Sequence, residues 1–90
     1  SNEVKRARMK IMLDLARKQA RQYRYSILGS TRSVLWEKMV VENGSQVWSG
    51  LTDSYVRVAT KTDLPLRNQI TPLALEHIEG EIVWGNTIPN

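Results

Sequence analysis

The segment GLTDSYVRV, residues 50–58, places side chains that can bind a nucleotide at alternating positions. Val56 and Val58 fall on one face of a strand, and Tyr55 and Arg57 fall on the other, which should meet water. An exposed phenol ring gives a base a flat surface for stacking, and a guanidinium gives a phosphate two parallel N–H donors. The alternative is that the Tyr55 ring packs under a loop and that Arg57 is simply solvated.

A second group of candidates lies in the basic front of the chain. Residues 1–32 hold nine basic and two acidic side chains, a net charge of +7, whereas residues 33–90 hold four basic and seven acidic ones, a net charge of −3. This asymmetry is typical of a protein whose front binds a polyanion, most often nucleic acid. At 100° per residue, five of the basic side chains share one side of a helix. This basic ridge consists of Arg6, Lys10, Arg17, Arg21 and Arg24. The alternative is a solvated charged face, although Asp14 is the only acid at its edge.

Catalytic chemistry has little support. There is no cysteine, which excludes disulfides, thiolate metal sites and cysteine nucleophiles, and the lone His77 does not make a zinc site. Glycine-rich phosphate loops and nucleophile elbows are missing from the sequence. Glu76 and Glu79 lie near His77, but adjacent strand residues point to opposite faces. Nothing in the sequence brings Glu37 and Asp53 into one cleft for acid–base work. We therefore expect a metal-free module without a catalytic site of its own.

The basic side chains share one side only if the segment that carries them is helical, and the sequence predicts a helix there. From Glu3 to Leu28 there is no Gly or Pro, and good helix formers dominate. Apolar residues recur in steps of four and three and form a stripe beside the ridge. The stripe contains Met9, Leu13, Ala16, Ala20, Tyr23 and Ile27. Gly29 suits the left-handed residue that ends many helices. We interpret residues 1–28 as a linker helix and residues 29–90 as a separate domain.

Short strands follow. Asn43-Gly44 between two apolar segments predicts a hairpin with a two-residue type I′ turn. That turn would pair Val40 with Val47 and Trp36 with Leu51, unless a bulge intervenes. The core face would then hold Val34, Trp36, Val40, Val47 and Leu51. The opposite face would hold Leu35, Met39 and Trp48, which we expect the helical stripe to cover.

Three more strands are predicted, over 55–60, 70–78 and 81–84, with Pro72 at an edge or a strand start. The fold class is therefore mainly β: a small five-stranded antiparallel barrel, OB-like and meander-like in its spacing, preceded by one long amphipathic helix. We expect the tryptophans to be core or helix-packing residues rather than stacking platforms. They are Trp36, Trp48 and Trp84. No apolar run approaches the roughly 20 residues of a membrane span, and the N-terminus lacks the core of a signal peptide, which favours a cytoplasmic protein with no membrane partner.

Several short motifs occur together: GxxxxVLWE from Gly29 to Glu37, GLTDSYVRV, Asn68, and the closing HIEGEIVWG. In combination they resemble the C-terminal TRAM domain of the radical-SAM tRNA methylthiotransferases. The Gly-x-Thr-Asp-x-Tyr segment is most similar to the branch that acts on threonylcarbamoyladenosine beside the anticodon. The matching positions are Gly29, Glu37, Gly50, Thr52, Tyr55 and Asn68. Trp36 and Ser54 depart from the pattern, and so does the acidic barrel segment, which shifts the weight of RNA binding onto the helix.

The resemblance implies a TRAM fragment that positions tRNA and leaves catalysis to an upstream radical-SAM domain of the same chain. That domain would add a methylthio group, using two 4Fe–4S clusters and S-adenosylmethionine held by cysteines that this chain lacks. The partner would be the anticodon stem-loop of a tRNA. The RNA-binding residues would be Arg6, Lys10, Arg17, Arg21, Arg24, Tyr55 and Arg57.

A protein-docking or structural role stays open beside this interpretation. The helical stripe would then contact the catalytic domain or a partner helix, without direct RNA binding. The ribosomal-protein-modifying branch of the same superfamily uses a TRAM-like domain on a protein substrate, which keeps this alternative in play. Salt dependence of RNA binding separates the two roles.

Overall fold

The computed structural model describes residues 2–88 and consists of one helix followed by a closed five-stranded barrel. The elements are α1 (Asn2–Ser26), β1 (Thr31–Glu42), β2 (Ser45–Thr52), β3 (Arg57–Lys61), β4 (Ile70–Glu79) and β5 (Ile82–Thr87). Around the barrel the strands run in the order β1-β2-β3-β5-β4. The predicted fold, a small OB-like barrel after a long helix, is confirmed. One pairing differs from the prediction: β3 and β5 are parallel, so the chain is not a simple meander.

The barrel encloses the core without help from the helix. Trp36, Leu73 and Val58 are fully buried, and they belong to a cluster that all five strands supply. Two buried side-chain polar groups of the barrel are paired, as burial favours, whereas the Trp48 indole Nε1 has no hydrogen-bond partner within residues 2–88. The Trp36 indole donates to the Thr71 hydroxyl at 2.7 Å, and the buried Thr60 hydroxyl donates to a main-chain carbonyl of β5 at 2.8 Å.

The β1–β2 hairpin follows the predicted turn but not the whole predicted register. Asn43 and Gly44 both have positive φ, at 49° and 80°, and Val40 pairs with Val47, as expected. A bulge at Glu37 then shifts the register by one residue, so Trp36 faces Gly50 instead of Leu51. A side chain at position 50 would collide with the carbonyl of Leu35, which explains the glycine there.

The bulge exchanges the predicted faces of β2 and of the part of β1 that follows it, because a one-residue slip moves side chains to the other face. Val34, Trp36 and Val47 are buried as predicted, but Val40 is exposed and Leu51 is half-buried. Trp48, assigned to the opposite face, belongs to the core cluster, and Met39 packs against that cluster. The tryptophan prediction is correct for Trp36 and Trp48. It is wrong for Trp84, which is half-buried outside the core and stacks on His77 with ring centroids 6.4 Å apart.

The prediction that the helical stripe covers the barrel is wrong. No residue between Asn2 and Ser26 is buried, and Met9 is 64% exposed. Of the stripe, only Ile27 enters the core, just after the helix ends. The molecule measures 57 × 25 × 22 Å, and its radius of gyration of 16.2 Å exceeds the roughly 12 Å of a compact 90-residue domain. Within residues 2–88, no helix combines the length and apolar character that crossing a membrane requires.

The helix is nevertheless attached firmly at its C-terminal end. Gly29 has a φ of 85°, as predicted for a residue that ends a helix, and its N–H donates to the Leu75 carbonyl in β4 at 2.9 Å. Ser30 and Leu75 add a second main-chain bond at 3.0 Å. The helix therefore leaves the barrel from a fixed point at β4.

Candidate nucleic-acid interface

Tyr55 lies in the turn that joins β2 to β3, not within a strand. Thr52 organises this turn, because its N–H donates to the Val56 carbonyl at 3.0 Å while its hydroxyl accepts from the Val56 N–H at 3.1 Å. The Tyr55 N–H donates back to the Thr52 carbonyl at 3.0 Å. The predicted start of the third strand at Tyr55 is therefore wrong, and β3 begins at Arg57.

The Tyr55 ring projects into solvent. Tyr55 is 84% exposed, whereas Val56 and Val58 are buried, so the predicted alternation of exposed and buried side chains is confirmed. The alternative in which the ring packs under a loop is wrong. Arg57 is exposed on the same outward side.

The backbone of Tyr55 is in a conformation that an aromatic residue rarely adopts. Its φ is 64°, in the left-handed region, at the position of a three-residue hairpin loop that usually carries glycine. An L-residue pays roughly 1–2 kcal/mol there. Non-glycine residues held in this region concentrate at functional sites.

A cleft separates the C-terminal half of α1 from the barrel. It comprises two adjoining hollows, of about 310 and 490 Å³, which share Ala20, Arg24 and Glu81. Tyr55 and Arg57 line the first hollow, with Ser54 beside them. The Tyr23 hydroxyl donates to the Ser54 hydroxyl at 3.0 Å and so ties the helix to the turn that carries Tyr55. We call the two hollows together the helix–barrel cleft.

Three of the five basic-ridge residues face this cleft. Arg17, Arg21 and Arg24 line the larger hollow, and Arg24 also lines the smaller one with Arg57. Arg6 lies about five turns from Arg24 along α1 and Lys10 about four turns, so both are at least about 20 Å from Arg24 along the helix axis. Those two residues lie on the exposed part of the helix, away from the barrel.

The arginines at the cleft are available to a ligand. Arg17 forms a surface ion pair with Asp14 at 3.7 Å, and an exposed pair of this kind contributes at most about 1 kcal/mol. Arg24 Nε is buried, and it has no hydrogen-bond partner within residues 2–88. An anionic ligand in the cleft would supply an acceptor for this N–H.

Glu81 is a cleft residue that the sequence did not indicate. It belongs to the β4–β5 turn, where Gly80 has a φ of 63°. The turn between these strands is one of the loops that bind oligonucleotides in OB-folds. The sequence predicted Glu81 as the first residue of the last strand, but β5 begins at Ile82, and the position of Glu81 in the cleft depends on the exit angle of α1. Its carboxylate offsets part of the positive charge of the cleft.

Tyr55 also borders a second concavity, on the outer surface of the barrel. This cavity of about 250 Å³ is lined by apolar residues of β1, β2 and β4 and by the carboxylates of Glu37 and Asp53. No sequence pattern predicts that those two acids lie together. The β1 bulge at Glu37 and the Thr52–Val56 turn bring them to the same hollow. We call this hollow the outer cavity.

Glu76, His77 and Glu79 lie on the outer surface of the barrel. A bulge at Glu76 turns both Glu76 and His77 outward, contrary to the predicted alternation, and His77 Nε2 lies 3.4 Å from a Glu79 carboxylate oxygen. Within residues 2–88, no group of three or more His, Asp or Glu residues is arranged to hold a metal ion. Without cysteine, the chain does not fit an iron–sulfur cluster.

Comparison of the chain with protein-family models, with curated proteins and with solved structures found no match. The fold and the interface therefore define a class of protein by geometry alone: a closed OB-like barrel with a basic helix and an exposed aromatic at their junction.

Proposed function

We propose that this chain is an RNA-binding module that holds an unpaired loop in the helix–barrel cleft. The observation that carries the proposal is the position of Tyr55: an 84% exposed ring at the mouth of a cleft lined by Arg24 and Arg57. A base stacks on such a ring, and the neighbouring guanidinium groups bind the phosphates on either side.

RNA fits this site better than duplex DNA does. Sequence-specific RNA recognition targets loops whose bases are splayed out, because those bases can stack on aromatic side chains. A single ring at the edge of a narrow cleft receives one splayed base, whereas a duplex keeps its bases inside. The basic side chains follow the backbone on the helical side of the cleft.

The resemblance to TRAM domains refines the proposal. In this form the RNA is the anticodon stem-loop of a tRNA, and the chain is the tRNA-binding part of a methylthiotransferase that modifies threonylcarbamoyladenosine. The iron–sulfur clusters and S-adenosylmethionine belong to an upstream radical-SAM domain. In this form of the proposal, the exposed N-terminal half of α1, with Arg6 and Lys10, leads toward that domain.

The salt dependence of RNA binding tests the proposal. Arg17, Arg21, Arg24 and Arg57 line the cleft, and four phosphate contacts to an unpaired strand give a log–log salt slope of about −2.8. We expect this slope when a labelled anticodon stem-loop is titrated with the full chain at several salt concentrations. Absence of binding at low salt, or a slope near zero, contradicts the proposal.

A second function, protein docking, is favoured by one specific observation. Met9 and Leu13 are at least half exposed on a helix without any buried residue, which leaves an apolar stripe for another protein. In this alternative the chain caps a radical-SAM methylthiotransferase through α1 and does not touch RNA. This alternative requires that RNA binding does not depend on salt concentration while the chain remains folded.

A further inference from the structure

The outer cavity has an aliphatic floor built by strand register. Leu51 pairs with Leu35, and Leu35 pairs with Ile70, so three aliphatic side chains form a row across β2, β1 and β4. Leu35 is 45% exposed and Ile70 is 70% exposed, although both are large and apolar. A contiguous row of exposed aliphatic side chains is a candidate binding site, because contiguous apolar patches mark sites of interaction.

Polar groups converge on this floor from two directions. Ser33 and Glu37 project from β1 on the same side as Leu35, and Asp53 projects from the turn that carries Tyr55. A flat apolar surface with a few acceptors at its rim suits a planar ligand that has N–H donors on its edge. The cavity, at about 250 Å³, is smaller than the roughly 300–1,000 Å³ of sites for larger ligands.

Tyr55 connects this cavity to the helix–barrel cleft. Tyr55 lines both the outer cavity and the smaller hollow of the cleft. Arg57 pairs with Leu51, so the aliphatic row ends at an arginine of the cleft. With strands about 4.8 Å apart, the distance from Arg57 to Ile70 is about 14 Å. Tyr55 thus lies between a hollow whose arginines suit a phosphate and a cavity whose acidic residues repel one.

We propose that the outer cavity binds one unpaired guanine base of the RNA whose backbone lies in the helix–barrel cleft. This inference rests on the proposed function, because the phosphates enter through the basic cleft. Guanine carries two adjacent N–H donors, N1–H and the 2-amino group, and a carboxylate of Glu37 or Asp53 accepts both. The Ser33 hydroxyl supplies a donor for O6. Uracil presents one N–H between two carbonyl oxygens, and the carboxylates repel those oxygens. Adenine and cytosine each present one amino group, so they lack the two adjacent N–H donors of guanine.

Seven-nucleotide RNAs test the base preference directly. The probes are heptauridine and four derivatives that carry guanosine, inosine, adenosine or cytidine at the central position. We expect the guanosine derivative to bind the full chain roughly 10-fold more tightly than heptauridine, as one bidentate contact allows. Inosine lacks the 2-amino group and should lose most of that gain. Equal binding of all five RNAs overturns the inference and leaves the proposed function intact. Failure of every RNA to bind at low salt overturns both.

Charge-matched variants separate recognition from general electrostatics. The double variant Glu37→Gln/Asp53→Asn removes two negative charges, so general electrostatics predicts tighter binding of every RNA. Recognition by the carboxylates predicts weaker binding of the guanosine probe only, with the preference over heptauridine lost. The control Glu42→Gln/Glu76→Gln removes two charges from a different part of the barrel surface and should keep the preference. If the cavity variant binds guanosine and uridine probes with the same gain, the cavity has another occupant, such as an apolar protein side chain.

Discussion

The helix and the barrel differ both in how far their residues are buried and in the sign of their net charge. The barrel holds the core, with Trp36, Val58 and Leu73 fully buried inside a closed sheet, and the segment that forms it is acidic overall. The helix holds most of the positive charge, and none of its residues from Asn2 to Ser26 is buried. Stability therefore resides in one region, and the potential for binding a polyanion resides in the other.

This separation shows that amphipathicity alone does not decide where a helix packs. The apolar stripe of α1 is real, but a five-stranded barrel with two bulges closes its own core and leaves no open face for the stripe. Among the described residues, hydrogen bonds of Gly29, Ser30 and Tyr23 fix the C-terminal end of the helix to the barrel. Basic residues near that end face the barrel, and those further away do not.

The largest expected effect comes from deleting a core side chain of the barrel. Trp36→Ala removes a fully buried indole and its hydrogen bond to Thr71, so we expect a loss of about 3–5 kcal/mol in unfolding free energy. Leu73→Ala, at about 2–5 kcal/mol, serves if the first variant does not fold. Urea denaturation followed by the fluorescence of the remaining tryptophans measures both.

The matched change in the helix should do almost nothing to stability. Leu13→Ala shortens a side chain that is 50% exposed on the stripe, and surface substitutions stay within about 0.5 kcal/mol. A loss above about 1 kcal/mol in the same urea assay would mean that the stripe is packed in solution, and the contrast between the two regions would fail.

The next-largest expected effect is the loss of RNA binding when positive charge is removed from the helix. The triple variant Arg17→Gln/Arg21→Gln/Arg24→Gln removes the ridge residues at the cleft, and each lost phosphate contact reduces the salt slope by about 0.7. We expect the slope for stem-loop RNA to fall by about 2 and the affinity to fall tens of fold at physiological salt. Fluorescence anisotropy at four salt concentrations measures both quantities.

A control with the same loss of charge uses basic residues on the other faces of α1. Lys5→Gln/Arg8→Gln/Lys18→Gln lowers the net charge equally but leaves the cleft intact. It should keep the slope within about half a unit of the wild-type value. Equal effects of the two triple variants would show that the helix attracts RNA through its total charge, without a defined cleft.

The sequence predicted those parts of the fold that depend on local signals. The Asn43-Gly44 turn, the helix end at Gly29 and the exposure of Tyr55 beside buried Val56 all follow from the conformational preferences or polarity of a few neighbouring residues. The existence of five strands along the chain followed from the same signals, whereas the parallel pairing of β3 with β5 did not. The RNA assignment itself stays a prediction.

The parts that failed depend on bulges and on contacts distant in sequence. A bulge adds one residue to a strand without a sequence mark, and those at Glu37 and Glu76 each reversed the predicted faces around them. For the same reason, the meeting of Glu37 and Asp53 was not foreseeable. The position of α1 against the β4–β5 turn depends on how the helix leaves β4, which no local pattern encodes.

Tyr55 is where the two regions meet, and it gives the smallest and sharpest test of their separation. The ring and the strained backbone have different consequences, which three substitutions distinguish. Tyr55→Phe keeps both, Tyr55→Ala removes the ring and keeps the strain, and Tyr55→Gly removes both. Because φ is 64°, glycine relieves a strain of roughly 1–2 kcal/mol but loses roughly 0.5–1 kcal/mol to chain entropy.

We therefore expect Tyr55→Gly to raise the unfolding free energy by roughly 0.5–1 kcal/mol while it weakens RNA binding by about 1–3 kcal/mol, the contribution of one stacked base. Tyr55→Ala should weaken binding equally without lowering stability, and Tyr55→Phe should change neither. If Tyr55→Gly raises the unfolding free energy and lowers the RNA affinity, the wild-type tyrosine costs stability and contributes to binding, which is a stability–activity trade-off. If Tyr55→Gly destabilises the chain, the ring packs in solution and contributes to the barrel, and the division between a binding surface and a stable core no longer holds at this turn.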